Sequence, residues 1–271
     1  MERKLSRKEF LTIATKCAAG ATAGVAGLSL ITAKKGEAQT EIPAWPWPYA
    51  KLDPEYVRKL GHQAYWEAGR GCSYGAFKAI TRALQETVGY PFTLIPPEMM
   101  IFGHGGVVGW GGTCGGLLGA CAAISLVCDK ATADKLIHEL QGWYTQALFP
   151  SETSNRYAQN HEFFVNQYDQ PLPQSRAGSP LCHASVTMWC DTSGFKASSL
   201  ERKERCARLT GDVAARAVEL LNEWADGHFQ GTYTPPQSMA SCVTCHGSQG
   251  LDNVKAQMNC TQCHVEGWDH R

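Results

Sequence analysis

Apolar positions recur at helical spacing along most of this chain. Pro54 opens one such stretch and predicts a helix over 54–68, since proline is tolerated in a first helical turn. Ala76, Phe77, Ile80 and Leu84 fall on one face and predict a second helix over 74–87. A helix of small residues is expected over 113–128, and amphipathic helices over 131–148 and 200–225. Between the second and third helices, residues 103–112 are too rich in glycine for regular structure. They predict a tight loop in which backbone comes close to something else. Residues 149–180 read as polar and irregular, and no segment alternates persuasively as a strand. The expected fold class is mainly α: a helical, cysteine-rich body over 39–236 followed by a largely irregular C-terminal segment, 237–271.

The N-terminus reads as a targeting segment. Arg3, Lys4, Arg7 and Lys8 precede a mildly apolar stretch over 11–32, and Gly36-Glu37-Ala38 supplies a small-residue cleavage site. Residues 1–38 are therefore expected to be a cleaved export signal. Lys16 interrupts the stretch, which makes it a poor membrane span. Lys16 also stands where a lipid-attachment cysteine at Cys17 would want a small residue before it. Ser6-Arg7-Lys8-Glu9-Phe10-Leu11 resembles a twin-arginine signal with lysine at the second arginine, so twin-arginine and general export both stay open. The expected product carries no stable span.

Export changes the charge balance. The whole chain is formally neutral, but residues 1–38 hold seven of its 25 basic and three of its 25 acidic residues. That leaves 18 basic against 22 acidic in the remainder. An acidic chain argues against nucleic acid as a partner and for a basic redox protein or docking patch.

Two motifs of the form Cys-x-x-Cys-His stand near the C-terminus: Cys242-Val-Thr-Cys245-His246 and Cys260-Thr-Gln-Cys263-His264. In each, two thiols can form thioethers to haem vinyl groups and the adjacent imidazole can reach the iron. Four thiols at this spacing also approach a zinc-ribbon pattern, but zinc would leave both histidines without a role. The expectation is two haems c, attached at Cys242, Cys245, Cys260 and Cys263, with His246 and His264 as proximal ligands. In bacteria c-type haem is attached outside the cytoplasmic membrane, so motif and export signal both point to the periplasm.

Twelve cysteines less Cys17 and the four haem thiols leave seven, and an odd number cannot all pair within one chain. Cys114, Cys121 and Cys128 fall seven apart on one helix, so neighbours are roughly 10 Å apart along the axis. At most one of them can serve a small cluster. Cys114 is the best placed, at a helix N-terminus directly after the glycine loop, where the dipole favours a thiolate.

Gly71-Cys72-Ser73-Tyr74-Gly75-Ala76-Phe77, the Gly-Gly-Thr-Cys114-Gly-Gly-Leu-Leu-Gly stretch, Ser179-Pro180-Leu181-Cys182-His183 and Arg205-Cys206-Ala207-Arg208 resemble a four-cysteine redox family named for a Cys-Gly-Ala-x-x-Gly motif, with Gly116 in place of the alanine. With the C-terminal pair of haem motifs, the arrangement resembles the split-Soret cytochromes c from about Pro54 to the end. The resemblance implies a mainly helical homodimer with two stacked, bis-histidine haems per subunit. It also implies an iron–sulfur cluster, two-iron or four-iron, on Cys72, Cys114, Cys182 and Cys206. Cys190 could replace Cys182 if the residues between them do not form a straight helix, and a thiol-redox centre without iron is the alternative use of these cysteines. Candidate distal haem ligands are His270, His228 and His183, the last also a candidate for a supporting place beside the cluster.

Bis-histidine haems leave no open coordination position, so the implied activity is periplasmic electron transfer with redox proteins as partners. A reductase acting on a small substrate, at an open haem or at the cysteine centre with the His104 loop lining it, is the second reading. Trp45, Trp47, Trp110, Trp143, Trp189 and Trp224 are expected to pack in the core or at an interface.

Overall fold

The computed structural model describes residues 42–255 and 257–264. Helix α1, Pro54–Trp66, begins where Asp53 accepts a hydrogen bond from the Glu55 N–H and Pro54 fills the first turn. It passes through a short 3₁₀ turn, Glu67–Gly69, into α2, Gly71–Thr87. After the glycine loop come α3, Gly115–Val127, and α4, Lys130–Gln146, the latter capped by the Asp129 carboxylate on Thr132 N–H. The longest helix is α7, Leu200–Ala225, opened by Ser199 accepting from Arg202 N–H.

α7 is the central element. Leu209, Val213, Ala214, Ala217, Val218 and Leu221 are buried together with Phe77, Ile80 and Leu84 of α2, Leu117 and Ile124 of α3, and Leu136 and Leu140 of α4. Each such side chain contributes about 1.5–3 kcal/mol by leaving water. α1 crosses α7 almost backbone to backbone: a β-carbon on Gly61 would stand 3.0 Å from the Cα of Gly211. Buried polar groups tie the crossing. Asp212 accepts from the Arg58 guanidinium, from Ser151 N–H and Oγ, and from Ser154 Oγ. Glu204 accepts from Trp66 and Arg208 and meets Nε2 of His62, whose ring stacks on Phe163.

The mainly α expectation holds, with local corrections. Residues 149–180 are not wholly irregular. They include α5, Glu152–Gln159, and β2, Ser175–Arg176, which pairs antiparallel with β1, Leu148–Phe149. Helix α6, Cys182–Ser193, lies outside every predicted helix. Trp189 is buried, and Trp47, Trp143 and Trp224 each meet another aromatic ring, but Trp110 stands 88% exposed at the glycine loop. The last helix, α8, Ala240–His246, and a 3₁₀ turn, Cys260–Gln262, carry the two Cys-x-x-Cys-His motifs. The expected export signal and His270 lie outside the described residues. Among those described, no helix is long and apolar enough to cross a membrane.

Candidate redox centres

Three helix N-termini converge on one point, each bringing a cysteine. Cys72 is the second residue of α2, Cys114 is the residue that caps α3, and Cys182 is the first residue of α6. Cys206 arrives from the second turn of α7. Residues 111–114 and 180–183 run antiparallel and lock two of these ends together. Cys114 N–H donates to Pro180 O at 2.8 Å, Cys182 N–H to Gly112 O at 2.7 Å, and His183 N–H to Gly111 O at 3.1 Å. The glycine loop folds around the same point, with Gly105, Gly106, Val107, Val108 and Gly109 all in the left-handed region. Close approach is obligatory at Gly115, where a β-carbon would lie 2.4 Å from the Cys72 Sγ and 2.6 Å from Gly103 O.

The thiols share an environment. Burial first, and then the neighbouring Cys114 and Cys206, push Cys72 up to about 12. Cys182 is raised by burial and then by Cys114, Cys206 and Cys72. Cys114 is raised by burial, against a lowering hydrogen bond from Tyr144. Backbone N–H groups of Gly105 and Gly116 serve Cys72 and Cys114. Cys190, eight residues along straight helix α6 from Cys182, neighbours Arg202 and Cys206 instead. Cys121 faces the Gln141 amide and Cys128 is fully buried in the core, as expected for two of the seven-spaced set.

Three further residues complete the centre. The Tyr144 hydroxyl, fully buried, stands between Cys114 and Ser185 Oγ, the latter at 3.0 Å. Arg205, 1% exposed, donates to the same Ser185 Oγ at 2.9 Å, while its Nε is buried with no hydrogen-bond partner. Its charge acts on Cys114 and Cys182. In sequence, Tyr144 and Arg205 read as ordinary amphipathic-helix residues. Only the adjacency of Arg205 to Cys206, and of Ser185 one turn after Cys182, could have signalled them.

No group of three His, Cys, Asp or Glu side chains among the described residues is arranged to hold a metal ion as it stands. The donor set nevertheless fits an iron–sulfur cluster. Such a cluster is wider than one ion and takes four thiolates spread over its two or four irons. Three helix N-termini and a buried guanidinium whose Nε has no partner supply the positive environment that its negative charge needs.

The haem motifs lie side by side. Cys242 and Cys260 are half-buried and their thiols meet, the Cys260 thiol being raised by burial and then by Cys242. Cys245 and Cys263 are exposed. In each motif one helical turn sets the two thiols three residues apart on the face that also carries the histidine. The second motif meets the loop that leads into α6: Gln262 Nε2 donates to Ala177 O at 3.4 Å, and a β-carbon on Gly178 would overlap that amide. A cleft of about 530 Å³ runs between them, lined by Thr113, His138, Thr145, Pro180, Met258 and Asn259. His183 is exposed and packs on Gly111, beside the cysteine centre, and His228 is exposed just past α7.

Comparison with known proteins agrees with this geometry. The family described as "Putative redox-active protein (C_GCAxxG_C_C)" matches residues 72–220, beginning on Cys72. The matched span holds Cys114-Gly115-Gly116-Leu117-Leu118-Gly119 together with Cys72, Cys182 and Cys206. Split-Soret cytochrome c of Desulfovibrio desulfuricans is 36% identical over 225 residues, 82% of this chain and 78% of that protein. A solved structure of split-Soret cytochrome c from the same organism, described as showing a novel iron centre, superposes with a TM-score of 0.74 at 35% identity. It covers 81% of this chain and 90% of that one. With its four family cysteines gathered at three helix ends beside a pair of haem motifs, the chain belongs to the split-Soret cytochrome c family of redox electron-transfer proteins.

Proposed function

We propose that this chain is a periplasmic electron carrier with two covalent c-type haems and one iron–sulfur cluster. Cys242 and Cys245 with His246, and Cys260 and Cys263 with His264, hold the haems. Cys72, Cys114, Cys182 and Cys206 hold the cluster. Bound there, haem and cluster iron supply one-electron redox chemistry. The chain's own residues set the conditions for it. Arg205 and the three helix ends offset negative charge, Tyr144 hydrogen-bonds Cys114, and the fold of 103–112 over Cys72 screens the centre from water.

The observation that carries this reading is the shared wall between the centres. Pro180 O, one hydrogen bond from Cys114, and Gly178, against which Gln262 of the second haem motif lies, belong to the same short loop. Two redox centres joined this closely can exchange an electron without a diffusing intermediary. The place of His183 over Gly111 favours a supporting role at the cluster over haem ligation, leaving His228 and His270 as distal candidates. By family likeness the protein is a homodimer.

An absorption spectrum of exported protein, with iron, zinc and acid-labile sulfide counted on the same sample, tests this. The expected result is a c-type spectrum with a split reduced Soret band, more than two irons per chain, and sulfide. Zinc without a Soret band would leave a ribbon module in its place. Carbon monoxide binding by the ferrous protein would mark an open haem position and favour a reductase.

A further inference from the structure

We propose that Asn253 positions the axial imidazole of the first haem motif and sets the reduction potential of that haem apart from its neighbour. This rests on reading Cys242, Cys245 and His246 as a covalent haem site. The residues that follow α8 fold back onto its C-terminal end. Gly250 N–H and Asp252 N–H both donate to Gly247 O at 3.0 Å, and Leu251 N–H donates to Cys245 O at 2.7 Å. The turn closes with Asp252 in the left-handed region, φ 45°. It delivers Asn253 to His246 twice. The backbone N–H of Asn253 donates to His246 O at 3.1 Å, and its side-chain Oδ1 lies 2.9 Å from His246 Nδ1.

The second contact decides the chemistry of the ring. A carboxamide oxygen only accepts, so a hydrogen bond there requires the proton on Nδ1. Nε2 then carries the lone pair, and Nε2 is the atom that an axial histidine of this motif presents to iron. The opposite amide orientation would set an N–H against Nδ1, place the proton on Nε2 and block ligation, so the ligand role selects the orientation with Oδ1 toward the ring. The same bond holds the imidazole plane and draws the Nδ1 proton outward. That makes Nε2 a stronger donor and favours ferric over ferrous iron. Asn253 is a positioning residue: it acts on the iron through His246 and touches no reacting atom.

The test uses the exported, full-length, haem-loaded protein and two variants, Asn253→Leu, which keeps the bulk and loses the acceptor, and Asn253→Asp, which strengthens it. Haem content is read by absorption, the two haem potentials by spectroelectrochemistry, and the ferric ligand field by electron paramagnetic resonance. With haem content equal to that of the unsubstituted protein, one of the two haem waves should move and the other stay. The leucine variant should shift its one-electron equilibrium threefold to tenfold toward the ferrous form, about 28–59 mV upward at about 59 mV per decade. The aspartate variant should move the same wave downward. If the leucine variant fails to mature, the direction of the aspartate shift alone supports or overturns the proposal. Unchanged potentials and unchanged resonance signals in haem-loaded variants would overturn it. Absence of haem from the unsubstituted protein would overturn it through its premise, and that result is visible before any variant is made.

Discussion

Replacing Tyr144 with phenylalanine should weaken the loaded cysteine centre more than the empty one. The ring is retained, and with it the packing on Phe149 at 5.0 Å between centroids, so the change is confined to one buried hydroxyl. In the empty protein Cys114 is a neutral thiol, because burial raises it, and the hydroxyl bridges it to Ser185 Oγ 3.0 Å away. Losing a bond between neutral groups costs about 1 kcal/mol. With Cys114 bound to iron the sulfur is anionic, the hydroxyl turns to donate to it, and a bond of that kind contributes about 1.5–3 kcal/mol. The difference, about 1 kcal/mol, corresponds to about a fivefold loss in retention of the centre. Reduction adds negative charge to the cluster, so the same loss should lower its potential. Urea unfolding of metal-free protein, chelator competition on loaded protein and a potentiometric titration measure the three quantities. An equal cost in the empty and loaded states, with an unmoved potential, would refute the reasoning and leave Tyr144 as a packing residue.

Alkali should destabilise the metal-free protein. Burial pushes Cys72, Cys121 and Cys128 up to about 12 from an ordinary value near 9. The folded chain therefore holds these protons more tightly than the unfolded one. This contribution is fully present below pH 9 and is lost as pH rises toward about 12. Urea midpoints at pH 7, 9.5 and 11 should fall in that order, and a rise would contradict the burial argument. Gly115→Ala should cost about 1–3 kcal/mol by overpacking and lower the iron content, since the new methyl overlaps the Cys72 Sγ and Gly103 O; normal melting and full iron would refute the convergence of α2 and α3. Asp212→Asn removes one of the two carboxylates that pair with the buried Arg58 guanidinium, Glu55 being the other, and disturbs the contacts with Ser151 and Ser154. The expected loss is about 1.5–3 kcal/mol by denaturation, and unchanged stability would show that the Asp212 charge does not hold the crossing.

What could be read from the sequence divides along physical lines. Helices α2, α3, α4 and α7 each bury a broad apolar face, and periodicity reports such faces; α1 buries Val57 and Ala64 beside Arg58, Gly61 and His62, and Pro54 marked its start. α6 buries only Ser185 and Trp189 among its twelve residues, so it has no stripe to detect. It is held by the Thr113–Leu181 bridge and by hydrogen bonds onto Gly111 and Gly112, which are tertiary contacts. α5 is short, and the Ser151 that caps it also serves Asp212, so its start depends on α7. Cysteine and histidine spacing marked the two haem motifs, because covalent attachment constrains residue types; Cys72, Cys182 and Cys206 came from the family resemblance, and only Cys114 stood out by its place at a helix start. Tyr144, Ser185 and Arg205 escaped because they act through one hydroxyl or one guanidinium on helices whose pattern is otherwise ordinary. Trp110 lies outside the core of the single chain, because the loop that encloses Cys72 spends its backbone inward and turns that ring outward, which leaves the interface part of the expectation.

The contrast between body and tail has a consequence for assembly. The body carries a continuous apolar core through α2, α3, α4 and α7, sufficient to order those helices without cofactor. The described part of the haem segment buries only Met239 and Gly247. Ordering a residue costs about 1–2 kcal/mol in backbone entropy, which one methionine and a few turn hydrogen bonds cannot offset over some 25 residues. Two porphyrins, on the proposed reading, supply the missing apolar mass, and their thioether bonds join it to the chain. On that reading the segment folds around its cofactors, whereas the cysteine centre draws its helix ends, its guanidinium and its close-set glycines from elements that the apolar core holds. The second motif lies along the wall that leads to Cys114 and Cys182, with Gln262 on Gly178, so that wall is also the surface on which the haem-dependent segment takes its position.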